Sequence, residues 1–260
     1  MTDGSYGVRR ITRHLKHQGL AVNHKRIRRL MRQLGIQGKG TPKRKKFCIT
    51  TDSNHKKRIS PNHLNRQFIV NKPNHWWVGD ISYIWTEQGW CYISVVMDLF
   101  SRMIVGWNVG KDITADLVTT AFERAVQFRR ISTLDKHELT FHSDRGVQYC
   151  SDKFRAILKR YQVRQSMSRR ANCWDNSVVE SFFRSLKVER IKGLKIKSIN
   201  QLRRLIFDYI NNFYNNWRSH SFLLGYSPTS WEIAVGMNPA IIENRNRAFL
   251  SKKGKTKKRA

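Results

Sequence analysis

Acidic residues are scarce in this chain, so the positions they occupy are informative. Fifty Lys and Arg oppose eighteen Asp and Glu among 260 residues, a formal charge of +32. Three acids stand where solvation alone would not put them. Asp80 lies within residues 75–86 (HWWVGDISYIWT), a run of strand formers in which an isolated carboxylate is costly to bury. Asp144 ends the strand-like run 139–144 (LTFHSD), and Glu180 lies in a helical stretch, 174–190 (WDNSVVESFFRSLKVER). Each has a plain structural alternative. Asp80 could serve an ion pair, Asp144 a turn beside Gly146, and Glu180 a capping box with Ser177. Asp98 and Asp175 are not excluded as ligands by residue type, and Asp175 also competes as a helix cap. The combination favours chemistry. Two strand carboxylates and a third on a later helix can hold two hard divalent cations about 4 Å apart, which stabilise the attacking and leaving oxygens of a phosphoryl displacement.

Such a site needs a sheet and a covering helix, and the pattern supplies both. Residues 75–86, 90–100 and 103–110 read as three strands broken at Glu87-Gln88-Gly89 and Ser101-Arg102, which is the pattern of an antiparallel meander. Residues 114–128 form an amphipathic helix on Leu117, Val118, Ala121, Phe122 and Val126. A fourth strand at 139–144, a helix around 154–158 and a short strand at 163–167 follow. This is a mixed α/β layout with helices covering a sheet. In the helix carrying Glu180, the stripe Val179, Phe182, Phe183 and Leu186 faces inward. Asn176, Glu180, Arg184 and Lys187 share the opposite face.

Ahead of this core stands a basic helical unit. Ile11 and Leu15 mark a first helix that ends at Gly19. Asn23 caps a second, with Ile27, Leu30, Met31 and Leu34 on its inner face and Gly35 at its end. The outer face presents Lys25, Arg26, Arg28, Arg29 and Arg32. Two short helices with so basic a second member match a DNA-binding helix-turn-helix. The partition expected is 1–45 for this unit, 46–70 for a basic linker lying on phosphates, 71–190 for the catalytic core, 191–240 for a helical extension and 241–260 for a solvated, disordered basic tail. The charge excludes an ordinary metabolic enzyme, and 40% apolar content excludes a disordered basic tail protein. No apolar run is long enough for a membrane span, and no secretory signal opens the chain. Cys48, Cys91, Cys150 and Cys173 form no CxxC pair, so neither a zinc site nor a disulfide frame is expected.

Thirty-five residues separate Asp144 from Glu180. With Asp80, this spacing resembles the DDE triad of retroviral integrases and bacterial insertion-sequence transposases. The segments YGVRRI (6–11), MDLFSRMIVGW (97–107), HSDRGVQYCS (142–151), NCWDNSVVESFFRSLKVE (172–189) and YNNWRSHSFLLGYSPTSW (214–231) are similar to the second-frame product of insertion sequences whose transposase is split over two overlapping frames. The resemblance spans nearly the whole chain. It implies an RNase H-like core with Asp80, Asp144 and Glu180 binding two Mg²⁺ or Mn²⁺. The implied reaction is cleavage and strand transfer at the element's ends, with no protein nucleophile. It also implies Lys187, assisted by Arg184, on the DNA end, with Asp98 and Asp175 structural. Residues Asn211, Asn212, Asn215, Asn216 and Arg218 resemble a DNA-facing or interdomain set. Implied partners are double-stranded DNA, further copies of the chain in a synaptic complex and a first-frame product or fusion, in the bacterial cytoplasm at the nucleoid. Two rival functions remain open on residues alone: an inactive DNA-binding regulator, and an RNase H-type nuclease without transfer.

Overall fold

The computed structural model of the chain describes residues 4–39, 55, 57–134, 138–170 and 173–257, with only the backbone at 173–174 and 251–257. In chain order the helices are α1 (Val8–His17), α2 (His24–Gln33), α3 (Ala115–Arg129), α4 (Asp152–Arg160), α5 (Ser177–Leu186), α6 (Ile199–Phe207), α7 (Pro228–Met237) and α8 (Ile241–Lys257). The strands are β1 (Trp76–Thr86), β2 (Gly89–Asp98), β3 (Ile104–Gly110), β4 (Thr140–Ser143) and β5 (Arg164–Met167). These elements form two compact units. One contains 1–45, 185–192 and 208–260; the other contains 46–184 and 193–207.

The second unit holds the five-stranded sheet, ordered β3-β2-β1-β4-β5. The meander β1-β2-β3 is antiparallel, and β4 and β5 join β1 in parallel after helical crossovers. Side chains alternate across each strand. Trp77 and Val96 therefore face the helices on one side, in a core with Val118, Phe122, Phe141 and Phe154. Two glycines set how closely this face packs. A Cβ at Gly79 would lie 2.3 Å from the Phe141 ring, and one at Gly106 would lie 2.2 Å from the Ala121 carbonyl oxygen of α3. Side-chain caps start the covering helices: Thr114 accepts from the Leu117 N–H and Ser151 from the Phe154 N–H.

Residues 57–70, expected to lie on phosphates, instead pack along the edge strand β5. Met167 N–H donates to the Pro61 carbonyl, the His63 N–H donates to Ser166 Oγ, and Leu64 is buried. An otherwise open strand edge is covered in this way. The rest of the linker expectation, 46–54 with 56, lies outside the described residues.

In the first unit, α1 and α2 form the helix pair, and the Asn23 side chain accepts from the Lys25 N–H. Ile27 and Met31 are buried, whereas Leu30 and Leu34, expected inside, are exposed. The buried Glu189 carboxylate organises this unit. It receives hydrogen bonds from Arg218 at 2.8 Å, Arg10 at 2.8 Å and the Tyr209 hydroxyl at 2.7 Å. Burial alone would raise the Glu189 pKa, but Arg218, then Arg10 and Tyr209, outweigh it and hold the group below its usual range. Arg218 and Asn215, read from sequence with a DNA-facing or interdomain set, are therefore buried. Residues 241–257, expected to be a disordered tail, form α8, and Arg245 is buried there against the Trp231 and Phe222 rings.

Candidate active site

Sheet register brings the first two acids to the same end of one strand pair. Val78 pairs with His142 on the parallel strand β4, so Asp80, two residues on along β1, and Asp144, just past the end of β4, stand at the same end of this strand pair. The period of two puts the Asp80 side chain on the face opposite the one packed against α3, and the charges of both acids act on the Tyr149 hydroxyl. Both residues are half-buried. Asp144 lies just past the end of β4, and its Oδ1 accepts from the Gly146 N–H at 2.9 Å. The turn contact expected from sequence is real, and it fixes the carboxylate's orientation.

The third acid arrives from the helical segment, which is not the continuous helix that sequence implies. A 3-10 turn (Cys173–Asn176) leads directly into α5, and Lys187–Ile191 continue it as a π-helical turn. Asn176 Nδ2 donates to the Gly79 carbonyl at 3.3 Å, which fixes the start of α5 to β1 beside Asp80. Glu180 lies one turn on, in the first turn of α5. Although the residue is largely solvent-exposed, its pKa is raised, first by partial loss of water around the carboxyl and then by the Asp144 charge. The Tyr149 hydroxyl is affected by the same charges. Burial raises its pKa well above normal, and the Asp80 and Asp144 carboxylates add to the shift. Ser94 is near enough to lower it slightly, yet neither hydroxyl has a hydrogen-bond partner of normal geometry.

The two remaining candidates have structural roles. Asp98 is fully buried and accepts from the Asn74 and Phe100 N–H groups and from Arg129. Asp175 is buried in a clamp of Arg169, Arg66 and Asn62 Nδ2, and the Arg169 hydrogen bonds hold its pKa far below normal despite burial. Beside it, His142 of β4 is fully buried. Its pKa is pushed down to about 4 by burial, against the opposing pull of Asp175. The Ser166 hydroxyl meets His142 Nδ1 at 2.9 Å, a contact that suits a neutral ring. Sequence reading singled out neither His142 nor Tyr149, because nothing in their spacing marks them. Both were part of HSDRGVQY, but only the fold puts them next to the acids.

Among the described residues, no group of three or more His, Cys, Asp or Glu side chains is gathered closely enough to hold a metal ion. Of the basic candidates, Arg184 is exposed on α5, and Lys25, Arg26, Arg28, Arg29 and Arg32 are exposed on α2. Lys187 is half-buried and belongs to the first unit.

Comparison with known proteins decides the family. Residues 70–173 and 180–235 match integrase core domain models, and residues 2–46 match an HTH-like domain. The transposase InsF of insertion sequence IS3A from Escherichia coli K12 is 40% identical over 227 residues, covering 87% of this chain and 76% of InsF. The chain belongs to the IS3 transposase family. A 31 kDa protein of insertion element IS600 from Shigella sonnei is 35% identical over 88% of this chain and 82% of its own length. The fold agrees with this IS3-type assignment. A chain of the simian T-cell lymphotropic virus intasome superposes with a TM-score of 0.51 at 17% identity, covering 68% of this chain and 60% of that one. The RNase H-like mixed sheet with its preceding helix-turn-helix is thus the architecture of an IS3-type transposase. Among the described residues, no helix is long and apolar enough to cross a membrane.

Proposed function

We propose that Asp80, Asp144 and Glu180 form the carboxylate set with which this transposase cuts and joins DNA at the ends of its element, using two Mg²⁺ or Mn²⁺ per site. The observation that carries the reading is the position of Asp80 and Asp144 at the same end of the parallel pair β1 and β4, with both charges acting on Tyr149 and the Asp144 charge opposing ionisation of Glu180. The residues suit a divalent cation: all three offer hard carboxylate oxygens, and a cation relieves the repulsion between them. When bound, the metal supplies Lewis-acid polarisation of the phosphate and activation of water or a DNA 3′-hydroxyl.

The chain's own residues do the positioning. Gly146 N–H orients Asp144, and Asn176 fixes the start of α5 against β1, which sets where Glu180 stands. Arg184 and Lys187 hold the DNA end, and the exposed cations of α2 neutralise phosphates along the terminal repeat. The working assembly contains further copies of the chain and the first-frame product, acting on DNA in the bacterial cytoplasm at the nucleoid.

The test incubates labelled element-end DNA and Mg²⁺ with the chain, alone and fused to its first-frame partner. Metal-dependent nicking followed by joined product is the result expected. Hydrolysis without joining would point to a nuclease, and no cleavage by either form would leave a DNA-binding regulator. An Asp144→Asn protein as active as the unaltered one would remove that residue from the site.

A further inference from the structure

The distal end of the β1-β2 hairpin carries aromatic side chains. Register pairs Tyr83 with Tyr92 and Trp85 with Trp90. The period of two puts all four on one face, opposite the face that carries Asp80. The rings meet edge to face: Trp85 and Trp90 at 5.0 Å between centroids and 77°, Tyr83 and Trp90 at 5.1 Å and 78°. Contact among themselves does not bury them, for Trp85 is 58% and Trp90 48% exposed. Isolated exposed apolar residues are ordinary, but a mutually packed aromatic cluster with two half-open indoles marks a binding surface.

The rim indicates what binds there. The Glu87 N–H at the hairpin turn donates to the Ile196 carbonyl at 2.8 Å, which ties residues 195–197 to the hairpin. Ile196 is buried, and Lys195 and Lys197 on either side of it are exposed. We infer that this hairpin is a platform for unpaired DNA: bases stack on Trp85 and Trp90 while Lys195 and Lys197 hold the adjoining phosphates. Flat aromatic faces beside cations are what single-stranded DNA recognises. Paired DNA offers base edges and phosphates but keeps its base faces stacked. A second copy docked here about a twofold axis would set the patch against itself, bringing Lys195 and Lys197 of each copy together in a chain of formal charge +32. Trp85 lies five residues beyond Asp80 along β1, roughly 17 Å at strand rise. The platform is therefore distinct from the carboxylate site and suits a strand that cleavage or target opening has left unpaired.

The test uses the whole 260-residue chain in EDTA, so its outcome does not depend on the carboxylate assignment. Fluorescence anisotropy measures affinity for labelled oligo-dT and for a duplex of equal length. The Trp85→Ala/Trp90→Ala protein should bind oligo-dT roughly ten- to a hundredfold more weakly, the loss of one or two base stacks, with duplex affinity unchanged. Trp85→Phe/Trp90→Phe should keep most of the oligo-dT affinity. Unchanged oligo-dT binding by the alanine protein, or equal losses on both DNAs, overturns the inference. So does a fall in sedimentation mass with unaltered DNA affinity, which would identify a second copy as the occupant. Should the alanine protein fail to fold, Lys195→Glu/Lys197→Glu decides instead: oligo-dT affinity equal to that of the unaltered chain refutes the platform.

Discussion

Replacing Asp144 by Asn should separate the site's electrostatics from its packing. Asp80 and Asp144 stand at the same end of β1 and β4, strands that run about 4.8 Å apart, and both charges act on Tyr149. Two charges about 5.5 Å apart repel by roughly 3 kcal/mol at an effective dielectric of 20 and by under about 1 in water. Both groups are half-buried, so about 2 kcal/mol is a reasonable middle value once solvent is discounted. Asn keeps an Oδ1 that can accept from the Gly146 N–H, but a neutral acceptor makes that bond about 1 kcal/mol weaker. The net expectation is a metal-free protein about 1 kcal/mol more stable, or roughly 2–4 °C higher in Tm. Removing the Asp144 charge should also lower the Glu180 pKa, which carbon-detected NMR of the side-chain carboxyls would read directly. With Mg²⁺ added, the unaltered chain should gain Tm and the variant much less. If Asp144→Asn melted below the unaltered chain in EDTA and left Glu180 unshifted, the two carboxylates would not be interacting, and the proposed site would lose its physical basis.

Three further outcomes follow from individual contacts. Gly106→Ala should cost more stability than Gly79→Ala, because its Cβ meets the backbone oxygen of Ala121 whereas the Phe141 ring can give way; comparative urea unfolding tests the order. His142 should stay neutral down to a midpoint of about 4 in imidazole NMR titrations. Its folded pKa lies below the ordinary 6.5, so its contribution is complete above pH 6.5 and is lost as pH falls toward 4, by roughly 3 kcal/mol in all. Arg28→Ala/Arg29→Ala should weaken duplex binding and reduce the slope of log K against log salt by about 2; an unchanged slope would mean that α2 does not lie on phosphates.

Much of the core was readable because local pattern and tertiary packing agree. The meander over β1, β2 and β3 shows in the breaks at Glu87-Gln88-Gly89 and Ser101-Arg102, and α3 shows in its apolar stripe. The helix carrying Glu180 was legible as helical but not as a 3-10 turn, an α-helix and a π turn in succession. The flanking turns, Cys173–Asn176 and Lys187–Ile191, are too short to impose an apolar period of their own, and the breaks follow from tertiary ties such as Asn176 to Gly79. Residues 57–70 read as linker because they are rich in Lys, Asn and His. Their packing against β5 depends on backbone hydrogen bonds that composition does not report. Leu30 and Leu34 fit an inner helical face by spacing, yet the contacts of α2 reach only as far as Ile27 and Met31.

The acids show most clearly what sequence can and cannot decide. By type and spacing, Asp175 is as good a ligand as Glu180, and only resemblance ranks one above the other. Their surroundings separate them on physical grounds. Asp175 and Glu189 are enclosed by arginines that hold their pKa values down, and Asp98 is anchored by two backbone N–H groups with Arg129. Such carboxylates have their charge neutralised by the fold and have little affinity left for a cation. Glu180 is shifted the other way, by a neighbouring carboxylate and lost water, so its negative charge is accumulated instead of compensated. The Asp144 charge acts against ionisation of Glu180, the reverse of the arginine-held carboxylates, and a group shifted in that direction suits the role proposed for it at a metal.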